Sequence, residues 1–149
     1  MSIFSSMNIG ATALTAERTR LDIIAKNIAN AQTTRTKSGQ PYRRQVAVFE
    51  EVKKDPSFKS IFESKKMGTK SGVSGGVEVV GVVEDRSPFQ MKYEPGHPDA
   101  DENGYVKMSN VDMITEMVDM ITAQRAYEAN VTSINTSKAM IQKAMEIAK

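Results

Sequence analysis

The chain of 149 residues contains no cysteine and no tryptophan, and it has only one histidine. The absence of cysteine excludes disulfide bonds, thiolate metal ligands and cysteine nucleophiles. Aromatic residues make up 6% of the sequence, so we do not expect a large, dense core. A net charge of +2 is too small to indicate a nucleic-acid partner. With 40% hydrophobic and 26% charged residues, the composition is that of a globular chain.

Long hydrophobic runs are also missing. No apolar stretch approaches the roughly 18 residues that are needed to span a membrane. Residues 1–10 have neither the basic start nor the apolar core of a cleavable secretory signal. We therefore expect a cytoplasmic protein, or one exported by a route that needs no such signal.

The stretch from Val111 to Lys149 predicts one long helix. Its positions alternate four and three residues apart, and all except Gln124 and Lys138 are apolar or aromatic: Met113, Met117, Met120, Gln124, Tyr127, Val131, Ile134, Lys138, Ile141, Met145 and Ala148. This spacing is typical of a heptad stripe on a continuous helix. At about 1.5 Å per residue the helix is about 54 Å long. Something of similar length must cover its stripe.

The N-terminal stretch from Ile3 to Ala31 shows the same pattern and predicts a helix over about residues 5–29. Its stripe is formed by Phe4, Met7, Ala11, Leu14, Arg18, Leu21, Ala25 and Ile28. The two terminal helices can pair with each other, with other copies of the chain, or with both. An isolated helical hairpin remains possible. Apolar residues beside the stripes, such as Ile24, Ile114 and Ile121, favour further neighbours.

Short strands are predicted between the helices, at Tyr42–Phe49, at Val77–Val83, around residues 89–93 and at Tyr105–Met108. Ser109 or Asn110 is expected to cap the long helix. The predicted fold class is mainly α with a small β subdomain, in which the terminal heptad helices form a coiled-coil stem. The predicted segments are 1–32, 33–110 and 111–149, and we expect 1–32 and 111–149 to pack as one helical domain.

Two loops remain open to interpretation. The segment from Lys53 to Lys70 has a clear excess of lysine, which indicates a contact surface for an acidic partner or, more simply, a solvated loop. The segment from Gly72 to Gly76 indicates a loop or a close-packed turn. It lacks the Gly-Lys-Ser/Thr ending and the following helix of a phosphate-binding loop.

The stretch from Glu94 to Asn110 is the only one that looks like a ligand site. Asp99, Asp101, Asn103 and Gly104 match the first half of a calcium-binding loop, but position twelve is Asn110 and not glutamate. A turn in which Asp and Asn side chains bind the local backbone fits better. A hydrolytic metal site built on His97 would lack a second imidazole. We therefore expect no metal, no cofactor and no catalytic residue.

Three blocks of sequence carry a resemblance to a known family. Residues 21–33 fit the pattern L-x(5)-N-[LI]-A-N-x-x-T, residues 87–89 and 93–106 form a central block, and residues 109–118 with 125–130 form a C-terminal block. The chain resembles bacterial flagellar axial proteins and, in its central block, the proximal rod subunits of the basal body. The residues that carry the motifs are Asn27, Asn30, Thr33, Pro95, Gly96, His97, Pro98, Asp99, Gly104, Tyr105, Asn110, Arg125, Tyr127 and Asn130.

The sequence departs from the family pattern at two places. Ser109 stands where the family usually has proline, which affects how the last helix is entered. The loop from Gln32 to Tyr42 ends in Gly-Gln-Pro-Tyr, where other rod subunits have an immediate Gly-Tyr, and this difference itself favours the proximal rod.

The resemblance implies a structural subunit of the flagellar rod. Such proteins leave the cell unfolded through the flagellar type III export apparatus and polymerise around a central channel in the periplasm. The implied partners are copies of the same chain, other rod subunits and the proteins that join the rod to the membrane ring. Neither nucleic acid nor a small-molecule substrate is implied, and the chain is not expected to span the membrane.

Both terminal helices are then expected to pack together and against neighbouring subunits. The residues expected in these contacts are Phe4, Met7, Ala11, Leu14, Leu21, Ile28, Met113, Met117, Met120, Tyr127, Val131, Ile134, Ile141 and Met145. Because isolated helices are marginal in water, we expect their ordering to be coupled to assembly. Two other functions remain open, namely a soluble helical adaptor or chaperone-like module of a secretion system, and a calcium-dependent protein or hydrolase built on residues 99–104.

Overall fold

The computed structural model describes residues 3–52 and 75–147, with side chains from residue 5 onward. Helix α1 spans Ile3–Asn30 and helix α2 spans Met113–Ile147. Four short strands lie between them: β1 (Gln45–Glu51), β2 (Val77–Glu84), β3 (Gln90–Tyr93) and β4 (Tyr105–Met108). The predicted fold class, mainly α with a small β part, is confirmed.

Some sequence predictions fall outside the described residues. These are the packing role of the Phe4 side chain, the basic segment Lys53–Lys70, most of the loop Gly72–Gly76, and Ala148. The division of the chain into three segments stays a prediction.

The two long helices lie side by side and run antiparallel. Gly10 of α1 lies against Ile134 of α2, whereas Asn27 near the end of α1 reaches Glu116 in the first turn of α2. A Cβ atom on Gly10 would come within 2.9 Å of the Cγ1 atom of Ile134. The missing side chain at Gly10 therefore allows the two helices to approach closely.

On α2 the buried side chains are small or polar, whereas α1 also buries two isoleucines. The buried residues of α2 are Glu116, Ala123 and Ser137, which are separated by multiples of seven. On α1 the buried residues are Ala16, Ile23, Ile24 and Asn27. Heptad spacing is thus present in α2, but the buried position of the heptad is occupied by small and polar residues.

Within the described chain the residues of the predicted apolar stripes are half-buried or exposed, and Ile134 of the α2 stripe lies against Gly10, so their packing role stays a prediction. On α2, Met113, Met117, Tyr127 and Met145 are exposed by 36% to 67%, and Met120, Val131, Ile134 and Ile141 are half-buried. On α1, Met7, Leu14, Leu21 and Ile28 are half-buried, and Ala11 is exposed. Spacing fixes the period of a stripe, but several neighbouring stripes share that period. Ala16 and Ala123 allow closer backbone approach than methionine or leucine would, so the small stripe lies inside.

Strands β1 and β2 form an antiparallel two-stranded ribbon that packs on α1. Val46 pairs with Val83 and Glu50 with Glu78, and the register shifts between Val48 and Phe49. The backbone N–H of Val77 donates to the hydroxyl of Thr12 at 3.2 Å, which ties the ribbon to α1. Odd-numbered residues of β1 face the helix and even-numbered residues face outward, as the alternating burial shows.

Strands β3 and β4 form a second antiparallel pair, in which Tyr93 lies opposite Tyr105. The two rings meet edge to face, with their centroids 5.3 Å apart. The strand near residues 89–93, which was predicted from alternation, and the short strand predicted at Tyr105–Met108 are both confirmed.

The cap of α2 differs from the prediction. The carboxylate of Asp112 accepts hydrogen bonds from the Ile114 N–H and from the Thr115 hydroxyl, so Asp112 is the capping residue. Both hydrogen bonds lower the pKa of Asp112, and the bond from the Thr115 hydroxyl has the larger effect. The Ser109 hydroxyl instead accepts from the Val111 N–H, and Asn110 binds the backbone of Arg44. The expectation that Ser109 or Asn110 caps the helix is wrong because both side chains are used elsewhere.

We predict that Gly104→Ala lowers the free energy of unfolding. Gly104 has a φ angle of 79°, and a Cβ atom there would lie 2.9 Å from Cε2 of Tyr93. A left-handed alanine with such a contact costs about 1–3 kcal/mol. The matched control is Gly96→Ala, where no atom lies within 4 Å of the added Cβ, and urea titration compares the two. Equal losses in both variants would contradict the prediction.

Candidate functional site

A cluster of polar side chains joins the two helices to the β1–β2 ribbon, and we call it the polar junction. Its centre consists of Asn27 near the end of α1, Arg44 just before β1, and Glu116 in the first turn of α2. These residues are far apart in sequence: Arg44 and Glu116 are separated by 72 positions, and Asn27 and Glu116 by 89. The junction therefore forms only when both ends and the middle of the chain have come together.

Glu116 is fully buried, with 0% of its surface exposed. Its Oε1 atom accepts from Nε of Arg44 at 2.6 Å, and its Oε2 atom accepts from Nδ2 of Asn27 at 2.9 Å. A buried carboxylate without such donors would cost several kcal/mol. Both oxygens are thus held by groups that come from distant parts of the chain.

Arg44 connects this carboxylate to two further acids. Its Nη2 atom donates to Asp119 at 3.1 Å, and its Nη1 atom lies 4.0 Å from Asp85. Burial by itself would lower the pKa of Arg44, but the hydrogen bond and charge of Glu116, with the charges of Asp119 and Asp85, raise it. Arg20 of α1 also approaches Asp119, at 3.9 Å.

The side chain of Asn27 uses both its donor and its acceptor atoms. Nδ2 donates to the Gln45 carbonyl at 2.8 Å as well as to Glu116. Oδ1 accepts from the Gln45 N–H at 2.9 Å and from the Tyr42 hydroxyl at 3.0 Å. Asn27 thereby acts as an additional backbone partner at the start of β1. An aspartate there could not donate, and a leucine could make none of these bonds.

Asn110 binds the backbone beside the start of β1 and the end of β2. Its Oδ1 atom accepts from the Arg44 N–H at 2.8 Å, and its Nδ2 atom donates to the Asp85 carbonyl at 3.2 Å. Arg43 reaches the same segment, where Nη1 donates to the carbonyls of Asp85 and Ser87 and the guanidinium lies 4.2 Å from the centre of the Phe89 ring.

The central turn has local bonds that match the predicted Asx-rich turn. Oδ1 of Asp101 accepts from the N–H groups of Asn103 and Tyr105, and Nδ1 of His97 accepts from the N–H of Asp99. Oδ2 of Asp99 accepts from the Thr34 hydroxyl at 2.9 Å. The acids that resembled a calcium loop therefore hold the turn and attach it to the loop after α1.

Large apolar side chains remain exposed on α2. Ile114, Met117, Val118 and Ile121 follow one another at helical spacing, and each is 46% to 70% exposed. Nothing in residues 3–52 or 75–147 covers them. None of the helices in that part of the chain is long and apolar enough to cross a membrane.

Comparison with known proteins decides what this architecture belongs to. A family model described as flagella basal body rod protein matches residues 7–37, and one described as flagellar basal body rod FlgEFG protein C-terminal matches residues 102–147. The chain is 46% identical to the flagellar basal-body rod protein FlgC of Borreliella burgdorferi, over 99% of this chain and 98% of that protein. The chain belongs to the flagellar basal-body rod protein family.

Two further relatives agree. Over 100% of both chains, the identity is 46% to the FlgC protein of Bacillus subtilis and 39% to that of Escherichia coli O157:H7. The chain is therefore a structural subunit of the flagellar basal-body rod and not an enzyme. This finding decides against the adaptor and the calcium-dependent protein as alternatives.

The rod-family motif residues fall into separate groups in the structure. Asn27 binds Gln45 and Asn110 binds the backbone of Arg44, both at the polar junction. Asp99 accepts a hydrogen bond from Thr34. Asn30 donates to the Lys26 carbonyl and accepts from the Thr33 hydroxyl, which ends α1. Asn130 donates to Ala126 within α2. Arg125 and Tyr127 lie exposed on α2.

Sequence reasoning missed four members of the polar junction, namely Tyr42, Arg44, Glu116 and Asp119. The only signal for these residues in the sequence was that Glu116 lies seven positions before Ala123, on the same face of the helix. A lone acid in the first helical turn is ordinarily a solvent-exposed partner of the helix dipole. Only the folded structure shows that Glu116 is buried and that Arg44 is its partner.

We predict that Glu116→Ala lowers the free energy of unfolding by about 3 kcal/mol, because it removes a buried ion pair, leaves Nε of Arg44 without its acceptor and takes away one of the two acceptors of Asn27 Nδ2. The control is Glu128→Ala on the exposed side of the same helix, which should change it by less than about 0.5 kcal/mol. The double variant Arg44→Met with Glu116→Met should recover part of the loss. Equal effects of Glu116→Ala and Glu128→Ala in urea titrations would refute the role of the junction.

The Tyr42 hydroxyl gives the junction a pH dependence. Burial, with the charges of Glu116 and Glu84, raises the pKa of Tyr42 above 10.0, so the folded state favours the protonated hydroxyl. Its stabilisation is fully present below pH 10 and is lost as the pH rises through the higher pKa of the folded state. We predict that the stability difference between the unchanged chain and Tyr42→Phe shrinks above pH 10. Urea midpoints of the two chains below and above pH 10 measure this difference, and a difference that stays constant would contradict the prediction.

Proposed function

We propose that this chain is a proximal rod subunit that polymerises through its terminal helices into the hollow shaft that transmits torque for motility. One observation carries the proposal: the buried residues of α2 are Glu116, Ala123 and Ser137, whereas the large apolar side chains of Ile114, Met117, Val118 and Ile121 on the same helix are exposed. An apolar surface of this kind is typical of a contact between subunits.

The proposed subunit contacts use the residues that the apolar stripes predicted. On α1 they are Met7, Ala11, Leu14, Leu21 and Ile28, and on α2 they are Met113, Met117, Met120, Tyr127, Val131, Ile134, Ile141 and Met145. Full burial of such a side chain contributes roughly 1.5–3 kcal/mol. Because most of these residues are half-buried already, each contributes about half of that on assembly. The sum over many residues is sufficient for a stiff polymer.

The proposed partners are other copies of the chain, other rod subunits, and the proteins that join the rod to the membrane ring. We also propose passage through the flagellar type III export apparatus without a cleaved signal peptide, and a periplasmic position in the basal body. The likeness to the rod family supports these points.

The polar junction adds a physical detail to the proposed coupling of folding and assembly. It holds the end of α1 and the start of α2 to the ribbon through Asn27, Arg44 and Glu116. The opposite ends of both helices, near Gly10 and Ile134, lack such a cluster among the described residues. We therefore expect neighbouring subunits to order those ends.

We predict that Leu21→Asp and Val131→Asp each abolish swimming in soft agar, because each places a charge in a proposed apolar subunit contact. Thr132→Asp, on an exposed position beside Val131, serves as the control and should leave swimming largely intact. Tagged chains are followed into isolated basal bodies. Normal swimming and normal incorporation of both variants would argue strongly against these contacts.

A further inference from the structure

The outer surface of the β1–β2 ribbon is apolar and carries an unusual pair of charges. Its members are the outward residues Val46, Val48, Val80, Val83, Glu50 and Glu78, and we call them the ribbon face. The valines are 39% to 57% exposed. Val48 lies opposite Gly81, beside which there is open space for an incoming side chain.

Glu50 and Glu78 are directly opposite each other in the β1–β2 register. Like charges at opposed positions of a sheet destabilise it. Both side chains are exposed, and neither forms an ion pair within the part of the chain that the structure describes. A cation supplied from outside the chain would relieve the repulsion.

The stripe of α1 that contains Arg18 offers such a cation. Ala11, Leu14, Arg18, Leu21 and Ala25 follow at spacings of three and four, and we call them the outer face of α1. Arg18 is exposed in the middle of this otherwise apolar stripe. It forms no ion pair with any other described residue. An arginine flanked by leucines matches a pair of glutamates flanked by valines in both charge and polarity.

The two faces also match in length. From Ala11 to Ala25 the helix extends about 21 Å at about 1.5 Å per residue. The seven residues of β1 extend about 23 Å at about 3.3 Å per residue. A helix lying on one face of a sheet is a common way to bury both surfaces. The ribbon's other face already lies on α1 of its own chain near Thr12, so the helix that covers the ribbon face belongs to another molecule.

We propose that the ribbon face of one copy receives the outer face of α1 of a second copy, with Arg18 placed between Glu50 and Glu78. This contact rests on the proposed function, since it is one of the subunit contacts of the polymer. It assigns a partner to Leu14 and Leu21 and explains why a charge interrupts their stripe.

Cysteine crosslinking tests the contact in assembled rods, and the natural absence of cysteine gives a clean background. A copy with Arg18→Cys and a copy with Glu78→Cys, carrying different tags, are produced together in cells of a flagellated bacterium from which the gene for this subunit has been deleted. A short bis-maleimide should link the two tags in isolated basal bodies. The control pair, Arg18→Cys with Glu128→Cys on the exposed side of α2, should remain unlinked.

The outcomes are distinct. If both tagged copies are present in basal bodies but the thiol at position 78 is unlinked, or is linked only to a different protein, the contact between copies is overturned. If a tagged copy without substitutions is absent from basal bodies, the proposed function fails and the contact fails with it.

Charge exchange gives a second measurement that does not depend on thiol geometry. Arg18→Glu alone, and Glu50→Arg with Glu78→Arg, should each reduce swimming at least tenfold, and the combination of all three should restore it. Lys26→Glu makes the same charge change on α1 away from the outer face and should leave swimming unchanged. Failure of the combined variant to swim better than either parent would overturn the pairing.

Discussion

The buried carboxylate of Glu116 is the constraint on which the rest of the structure depends. It is fully removed from solvent, so it needs donors, and these come from Asn27 and Arg44. Each donor is itself anchored to the start of β1. The ends of the chain and its middle are thereby joined at one point, and the direction in which the ribbon leaves the helices is fixed by hydrogen bonds with defined geometry.

A polar interior of this kind has a consequence for the surface. The buried residues of α2 are Glu116, Ala123 and Ser137, so the fully buried part of this helix contributes little hydrophobic free energy. Met117, Val118 and Ile121 remain exposed on the same helix. In the proposed rod, these side chains are available for contacts with neighbouring subunits.

Local patterns predicted most of the elements. The helices predicted from heptad spacing, the strand predicted from alternation around residues 89–93 and the Asx-rich turn at Asp101 depend on contacts a few residues apart, and each is confirmed. The left-handed backbone of Gly104 was not predicted and is a finding of the structure. The cap of α2 was assigned wrongly because the side chain of Asn110 accepts a hydrogen bond from the backbone N–H of Arg44, which lies 66 positions away just before β1.

The sequence by itself determined the type and approximate bounds of the elements in residues 3–52 and 75–147, and its motif blocks indicated the rod family. Only the tertiary structure decided which face of each helix lies inside and which acid is buried. The physical reason is that helical periodicity is a local property, whereas the choice between two neighbouring stripes depends on how closely the backbones approach at Gly10 and Ala123. The burial of Glu116 likewise depends on Arg44, which only the folded chain brings within 2.6 Å.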